Sequence, residues 1–262
     1  MPLPKISVIM PTKNREKEIK NTIKSIINQT FRDWELIVID DHSTDQTAQI
    51  VKNLQDKRIK YYFLEKGTGP GAARDFGIRQ ALTRIIALAD SDDINAPERL
   101  VLTYDYFQKN PEVDIVYGRS NTINTATGKI ASRPTCEFNK ELLKAYNFIS
   151  NVTIAFKKDS YLKTLGYDKK IKTSEDYDLW LTFLEKGYQF GFIDKPMVLQ
   201  KIHPQSVTSQ TQRKLRQENL AYVRTKHHLK TPKFEEVKKI VPNKELLKFI
   251  STPKAIEFWF EK

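Results

Sequence analysis

Arg84 to Asp93 reads RIIALADSDD, an apolar run of strand composition that stops in three carboxylates, Asp90, Asp92 and Asp93. Asp90 and Asp92, two residues apart, can be aimed at one point by a tight turn at the end of a buried strand. A divalent ion that bridges two phosphate oxygens needs such a hard-oxygen anchor, and Mg2+ or Mn2+ typically takes only one or two protein carboxylates. Without a cation, acids crowded at one strand end repel and raise each other's pKa, so something positive is expected beside them. The competing expectation is that these acids only cap the helix that begins near Pro97.

Upstream, the same strand-then-helix rhythm repeats. Lys5 to Met10 is a β-branched run closed by Pro11, and Glu16 to Asn28 carries Ile19, Ile23, Ile26 and Ile27 at helical spacing. Trp34 to Ile39 is a second strand ending in Asp40-Asp41, after which Ser43 or Thr44 is placed to cap a helix through Leu54. Ile59 to Leu64 is a third strand, and the turn Gly67 to Gly71 opens a helix through Ala81. This alternation predicts a parallel sheet with right-handed crossovers. Ligands of such sheets bind outside the carboxyl ends of the strands, so Asp40, Asp41, Asp90, Asp92 and Asp93 are all expected to face one crevice.

Downstream, a helix from about Pro97 to Lys109 leads to a strand at Val113 to Tyr117. Arg119 to Ile130 suggests a polar hairpin turning near Thr127-Gly128. Strands are then expected at Asn151 to Phe156 and Gln189 to Asp194, on either side of a helix at Ser174 to Lys186. From about Gln210 the pattern is helical and basic. The formal net charge of +12 fits an anionic partner, whether nucleic acid, acidic lipid or a phosphorylated small molecule. The single cysteine, Cys136, has no partner for an internal disulfide, and the N-terminus carries no secretory signature, so a cytoplasmic setting is expected. No apolar stretch is long enough to span a bilayer, which leaves peripheral contact with an acidic membrane as the membrane option.

Four blocks carry a resemblance. Ile6-Ser7-Val8-Ile9-Met10-Pro11-Thr12-Lys13-Asn14-Arg15, Glu35 to Asp45, Gly71-Ala72-Ala73-Arg74-Asp75-Phe76-Gly77-Ile78 and Ala89 to Asp93, in this order, resemble glycosyltransferase family 2. The family has Asn more often than Asp at the position of Asp75. The resemblance covers about the first two hundred residues and implies a GT-A fold: a Rossmann-like, mostly parallel open sheet with helices on both faces. It implies a GT-A domain at 1–208, with a nucleotide-sugar-binding half at 1–118 and an acceptor-binding half at 119–208. A basic helical extension at 209–262 follows.

The resemblance also assigns roles. Pro11, Thr12 and Asn14 grip the nucleoside of the donor, Asp41 recognises the base, and Asp90 serves the ribose or the metal side. Asp92 is the metal ligand, with His203 from a late loop approaching the metal or diphosphate; an imidazole suits Mn2+ better than Mg2+. Arg74, near the start of the helix after Gly71, is placed to pair with the strand-end carboxylates or with the diphosphate. In Ser174-Glu175-Asp176-Tyr177-Asp178 the family's Glu-Asp pair implies Asp176 as general base and Glu175 as the residue that steers the acceptor or orients Asp176. On residue pattern alone these acids equally suit the positive end of a helix. Leu179, Trp180 and Phe183 read as core.

The implied activity is inverting hexosyl transfer from a nucleoside-diphosphate sugar, UDP favoured, to a saccharide or lipid-linked acceptor hydroxyl, as in cell-surface polysaccharide biosynthesis. Three other readings compete. Gly67-Thr68-Gly69-Pro70-Gly71-Ala72 fits a dinucleotide fingerprint and would suit an oxidoreductase, but two complete βα units precede it. A nucleotidyltransferase would also want paired acids, though with a Gly-rich loop after the first strand. The basic C-terminal third would suit a non-catalytic binder of anionic surfaces.

Overall fold

A computed structural model describes residues 3–202 and 213–261. Its centre is four parallel strands: β1 (Ile6–Thr12), β2 (Trp34–Asp40), β3 (Ile59–Phe63) and β4 (Ile85–Leu88). β1 and β2 are buried at every position because helices cover both faces, which is why they read as continuous apolar runs. Alternation still sorts their side chains. Ile9, Ile37 and Ile39 enter one core, while Val8, Met10, Leu36 and Val38 enter the other.

Helix α1 (Ile19–Ile27) buries Ile19, Ile23 and Ile26 in the second core. Helix α2 (Thr47–Lys52) follows β2 and α3 (Pro70–Gln80) follows β3. α3 lies close to the sheet because Gly77 has no side chain: a Cβ there would come within 2.4 Å of Ile39 Cδ1 and 2.9 Å of Ile9 Cγ2.

The chain continues through β5 (Ile94–Asn95), α4 (Arg99–Lys109), β6 (Ile115–Asn124), β7 (Ile130–Arg133) and α5 (Lys140–Ala145). A short 3-10 turn (Asn151–Thr153), β8 (Ala155–Lys157), α6 (Lys158–Leu162), α7 (Glu175–Glu185) and β9 (Phe190–Ile202) complete the sheet region. Strand order is β3-β2-β1-β4-β8-β6-β9-β5, with β7 paired to β6. β8 runs antiparallel to β4 and β6, and β9 runs parallel to β6. The open sheet is therefore parallel through its first four strands and mixed beyond them.

After the undescribed stretch come α8 (Arg213–Lys226), α9 (Phe234–Lys238), α10 (Lys244–Ile250) and α11 (Pro253–Trp259). Their Leu220, Val223, Val237, Leu246 and Ile250 share one apolar core with Tyr177 and Trp180 of α7. Among the described residues no helix is long and apolar enough to cross a membrane.

Three local expectations change. Neither Ser43 nor Thr44 caps α2; Ser43 Oγ accepts from the Asn14 amide, and Asp45 Oδ1 accepts from the Thr47 amide. Asn151 to Phe156 is not one strand, because the Thr153 hydroxyl and amide both donate to the Ser150 carbonyl and turn the chain before β8. The strands expected at Val113 to Tyr117 and Gln189 to Asp194 run on to Asn124 and Ile202. Asp194, Lys195 and Pro196 look like a strand end, but register shifts on either side of Arg119 absorb them and pairing resumes.

Candidate active site

The carboxyl ends of β1 and β2 are stitched together by Asn14. Its backbone adopts φ 51°, a left-handed geometry that Asn tolerates better than most residues. Its amide donates to Ser43 Oγ at 2.9 Å and its Oδ1 accepts from the Thr44 amide at 2.8 Å. Pro11 sits inside β1 opposite Ile39. The buried Thr12 hydroxyl has no hydrogen-bond partner among the described residues.

The two acids after β2 take different directions. Asp40 is fully buried, accepting from the Ser43 amide at 2.7 Å and from the Tyr61 hydroxyl at 2.7 Å. It braces the loop and does not face the crevice. Asp41 turns toward the loop before α3, accepting from the Thr68 amide (2.6 Å), the Thr68 hydroxyl (2.9 Å) and the Gly69 amide (2.9 Å). The glycine-rich loop thus aims its amides at a carboxylate of this chain, which is contrary to the dinucleotide reading. Gly69 is needed there, since its φ of 87° is strained for residues with a side chain.

At the end of β4 the acids also diverge. Asp93 is buried and accepts from the Lys201 amide at 2.9 Å, so it anchors β9 and does not face the crevice. Burial, with Asp90 and Asp92 nearby, pushes its pKa well above the usual carboxylate range. Asp90 is a third exposed, and Asp92 Oδ2 lies 3.3 Å from Arg15 Nε. Beneath them the buried Arg99 guanidinium donates to Asn95 and to the Leu88 carbonyl. Burial lowers its pKa to about 10 against the pull of Asp90 and Asp93, and it remains a cation at neutral pH. The positive charge expected beside these acids is therefore supplied in part by arginines.

Arg74 on α3 connects the two sides of the molecule. One terminal nitrogen donates to Asp90 Oδ1 at 2.8 Å and the other to Glu175 Oε1 at 2.7 Å. Burial works against the cation, but the two carboxylates outweigh it and hold the pKa above its ordinary value. Close approach of the two elements depends on Gly71, where a Cβ would come within 3.2 Å of Tyr167 Cβ and 3.4 Å of Glu175 Cγ.

Helix α7 begins at a left-handed Ser174 and sends its first acids to separate destinations. Glu175 meets Arg74. Asp176 Oδ1 accepts from the Tyr177 amide at 2.8 Å and Oδ2 accepts from Asn147 Nδ2 at 3.3 Å. Burial raises the pKa of Asp176, opposed by those two donors and by Arg74 and Arg133. Glu175 is raised too, by burial first and by Asp176, against Arg74. Asp178 turns away to Lys226 (2.9 Å), the last residue of α8, and to His227 (2.9 Å) just after it. Leu179, Trp180 and Phe183 are fully buried core residues.

The structure thus gathers Arg74, Asp90, Glu175 and Asp176 about one guanidinium, with Asp92 two residues from Asp90 and Asp41, Asn14 and Thr12 at the neighbouring strand ends. His203 lies outside the described residues. Three contacts were not anticipated: Arg15 on Asp92, Asn147 on Asp176, and the field of Arg133 at Asp176. Arg15 stands in the first of the four blocks and was within reach of a charge argument. Asn147 carries no motif or periodic signal.

Comparison with known proteins agrees with this architecture. The family described as Glycosyl transferase family 2 matches residues 7–161. UDP-Glc:alpha-D-GlcNAc-diphosphoundecaprenol beta-1,3-glucosyltransferase WfgD of Escherichia coli is 35% identical over 182 residues, covering 69% of this chain and 70% of that protein. TarS residues 1–349 of S. aureus, solved with UDP-GlcNAc, superposes with a TM-score of 0.66 at 21% identity, covering 97% of this chain and 71% of that one. The mannosyltransferase PcManGT of Pyrobaculum calidifontis, solved with GDP-Man and Mn2+, gives 0.63 at 17% identity, covering 97% and 70%. The sheet with its four parallel strands, the carboxylates at the end of β4 and the match over more than half the chain lead to one conclusion: the protein is a glycosyltransferase and belongs to glycosyltransferase family 2.

Proposed function

We propose that the protein transfers a sugar, with inversion, from a nucleoside-diphosphate sugar to a hydroxyl of a saccharide or lipid-linked acceptor, with a divalent ion at Asp92 and Asp90. The observation that carries this reading is the placement of Asp176. It is a half-buried carboxyl of raised pKa, next in sequence to the acid that shares Arg74 with Asp90. Such a group suits a general base, which works best with a pKa moved toward the working pH. The relatives support the donor class, since WfgD is named for UDP-Glc and the two superposed structures hold UDP-GlcNAc and GDP-Man.

In this mechanism an acceptor hydroxyl attacks the anomeric carbon from the face opposite the diphosphate. The new carbon–oxygen bond forms as the bond to the diphosphate breaks, and the bonding pair leaves with the diphosphate. The hydroxyl proton passes to Asp176, whose Asn147 and Tyr177 contacts hold it in place. Glu175, fixed by Arg74, limits where the acceptor can lie. Thr12, Pro11, Asn14 and Asp41 contact the nucleoside; the unpartnered Thr12 hydroxyl and the Asp41 carboxylate are suited to polar recognition of base and ribose.

Asp90 and Asp92 fit a metal. Among the described residues no three His, Cys, Asp or Glu side chains gather as a protein cage, but Mg2+ and Mn2+ are commonly completed by phosphate oxygens and water around one or two carboxylates. When bound, the ion neutralises charge on the departing diphosphate. His203 is proposed to approach the same ion. Residues 1–118 would form the donor half, 119–208 the acceptor half and 209–262 a basic helical extension. A lipid-linked acceptor would bring the chain, from the cytoplasmic side, to an acidic membrane surface.

A panel of UDP-, GDP- and dTDP-sugars, each with and without Mn2+, tests the proposal by thermal shift. One UDP-sugar should raise the melting temperature, only with the metal, and Asp92→Ala should remove that increment. Stabilisation that is equal with and without Mn2+ would contradict the metal assignment.

A further inference from the structure

We infer that the segment from Leu162 to Lys172, between α6 and α7, docks on the surface of an acidic lipid bilayer. The inference rests on the proposed use of a lipid-linked acceptor and deepens it by naming the face of the protein that meets the membrane.

The segment is firmly braced yet turns apolar side chains to solvent. Tyr167, Ile171 and Thr173 are buried, the Lys170 amide donates to Asp168 Oδ1 at 2.9 Å, and the Lys172 amide donates to Asn219 Oδ1 on α8 at 3.0 Å. The chain runs close to α3 at Gly166, where a Cβ would come within 2.8 Å of Tyr161 Oη and 2.9 Å of Asp75 Oδ1. Just before that glycine, Leu165 is 100% exposed, and Leu162 is 44% exposed. Leu82, at 68%, belongs to the same surface. The Lys158 side chain donates to the Ala81 carbonyl and its amide to the Arg84 carbonyl, both at 2.7 Å, and Leu162 follows Lys158 by one turn of α6. Exposed leucines scattered singly are ordinary, but three on one braced surface mark an interaction site.

Charge selects the occupant. From Lys158 to Lys172 the chain carries five lysines and two aspartates, an excess of three positive charges. Asp168 is already shared by Lys226 at 3.1 Å and the Tyr222 hydroxyl at 3.3 Å. Lys163, Lys169, Lys170 and Lys172 are exposed and form no ion pair among the described residues. Leucines collared by lysines match an acidic bilayer, whose interface takes the apolar side chains while its headgroups take the ammonium groups. A second copy of this chain would set lysines against lysines. Nucleic acid would satisfy the charge and leave the leucines in water. The position also suits the chemistry. Tyr167 and Glu175 both lie against Gly71, so docking through the neighbouring leucine brings the acids at the start of α7 toward the bilayer, where a lipid-linked hydroxyl is presented.

The test is flotation of the full chain with vesicles of phosphatidylcholine, alone or mixed with phosphatidylglycerol. The wild type should bind the acidic vesicles about a hundredfold more tightly than the neutral ones, and less so in high salt. Leu162→Ser with Leu165→Ser should weaken that binding by about tenfold or more. Lys163→Gln, Lys169→Gln, Lys170→Gln and Lys172→Gln together should weaken it by about a hundredfold. All six side chains are exposed, so melting temperature and UDP affinity with Mn2+ should stay at wild-type values. The same change of charge in the basic extension, Lys230→Gln, Lys233→Gln, Lys239→Gln and Lys244→Gln, should leave vesicle binding within about threefold. The added fluorescence of Leu165→Trp should be quenched by lipid brominated in its acyl chains.

A wild type without preference for acidic vesicles overturns the inference, as does unchanged binding in both segment variants or an unquenched Leu165→Trp. A loss in the extension variant as large as in the segment variants would move the contact to the C-terminal helices and overturn it as well. Self-association in sedimentation that Leu162→Ser with Leu165→Ser abolishes, with vesicle binding unchanged, would make the face a dimer interface and overturn the membrane assignment. Failure of the wild type to bind UDP and Mn2+ would instead strike the proposed donor chemistry, and that titration is read without vesicles.

Discussion

Asp176 and Asp178 stand two residues apart at the start of one helix and meet opposite circumstances. Asp178 is matched by a lysine and a histidine, whereas Asp176 is half-buried beside weak donors and its pKa is raised by desolvation. Asp176→Asn should lower kcat by about a thousandfold while UDP affinity stays within about twofold, measured by initial rates and by calorimetry. In the wild type the base must be deprotonated, and its pKa is raised. The acid limb of the kcat–pH profile should therefore fall at higher pH than an ordinary carboxylate would give. A limb centred on the usual aspartate range would assign the base elsewhere. Asp41, Asp90, Asp92, Glu175 and Asp176 stand out as candidates in the sequence because each lies in a block with recognisable spacing. The same spacing puts Asp40 and Asp93 in the crevice as well, and there it fails. Strand alternation ends where the turn begins, so an acid after a strand is visible in sequence while the direction of its side chain is not. Asn147 reaches Asp176 through a long-range hydrogen bond that leaves no local pattern.

At the level of elements, most strands and helices were legible because their apolar residues follow helical or buried-strand spacing without interruption. The exceptions have specific causes. β9 outruns its expected end because register shifts on the partner strand absorb Asp194 to Pro196, and no single-strand pattern encodes a partner's irregularity. α2 starts late: the Asn14 amide, from the loop after β1, takes the Ser43 oxygen that would have capped it, and Asn14 Oδ1 holds the Thr44 amide. The packing of α3 offers a direct check. Gly77→Ala should cost about 1–3 kcal/mol in chemical denaturation, since Ile9 and Ile39 would have to give way in a filled core. An unchanged midpoint would show that the helix can lift from the sheet at no cost.

On the scale of the whole molecule, the C-terminal helices are joined to the catalytic region by charge as well as by core. His227 contacts Asp178 and Glu185, and Lys226 contacts Asp178 and Asp168. Burial opposes the His227 cation, but its two acidic partners prevail and raise its pKa above 6.5. A raised folded-state pKa contributes stability that is complete below the unfolded value and is lost as pH rises through the folded value. The melting-temperature gap between wild type and His227→Gln should therefore narrow as pH rises past the ordinary histidine value and through the raised folded one. A gap that does not change with pH would leave His227 with a packing role only. The basic extension was legible as helical; its share in the main core was not, because its apolar residues are scattered among charges over several short helices. The guanidinium of Arg74 has a consequence of the same kind for dynamics. It clamps two segments 85 residues apart in the chain, at Asp90 and Glu175, so transient fraying at the start of α7 releases the hold on the loop after β4 as well. Amide exchange in those two places should belong to one cooperative opening event.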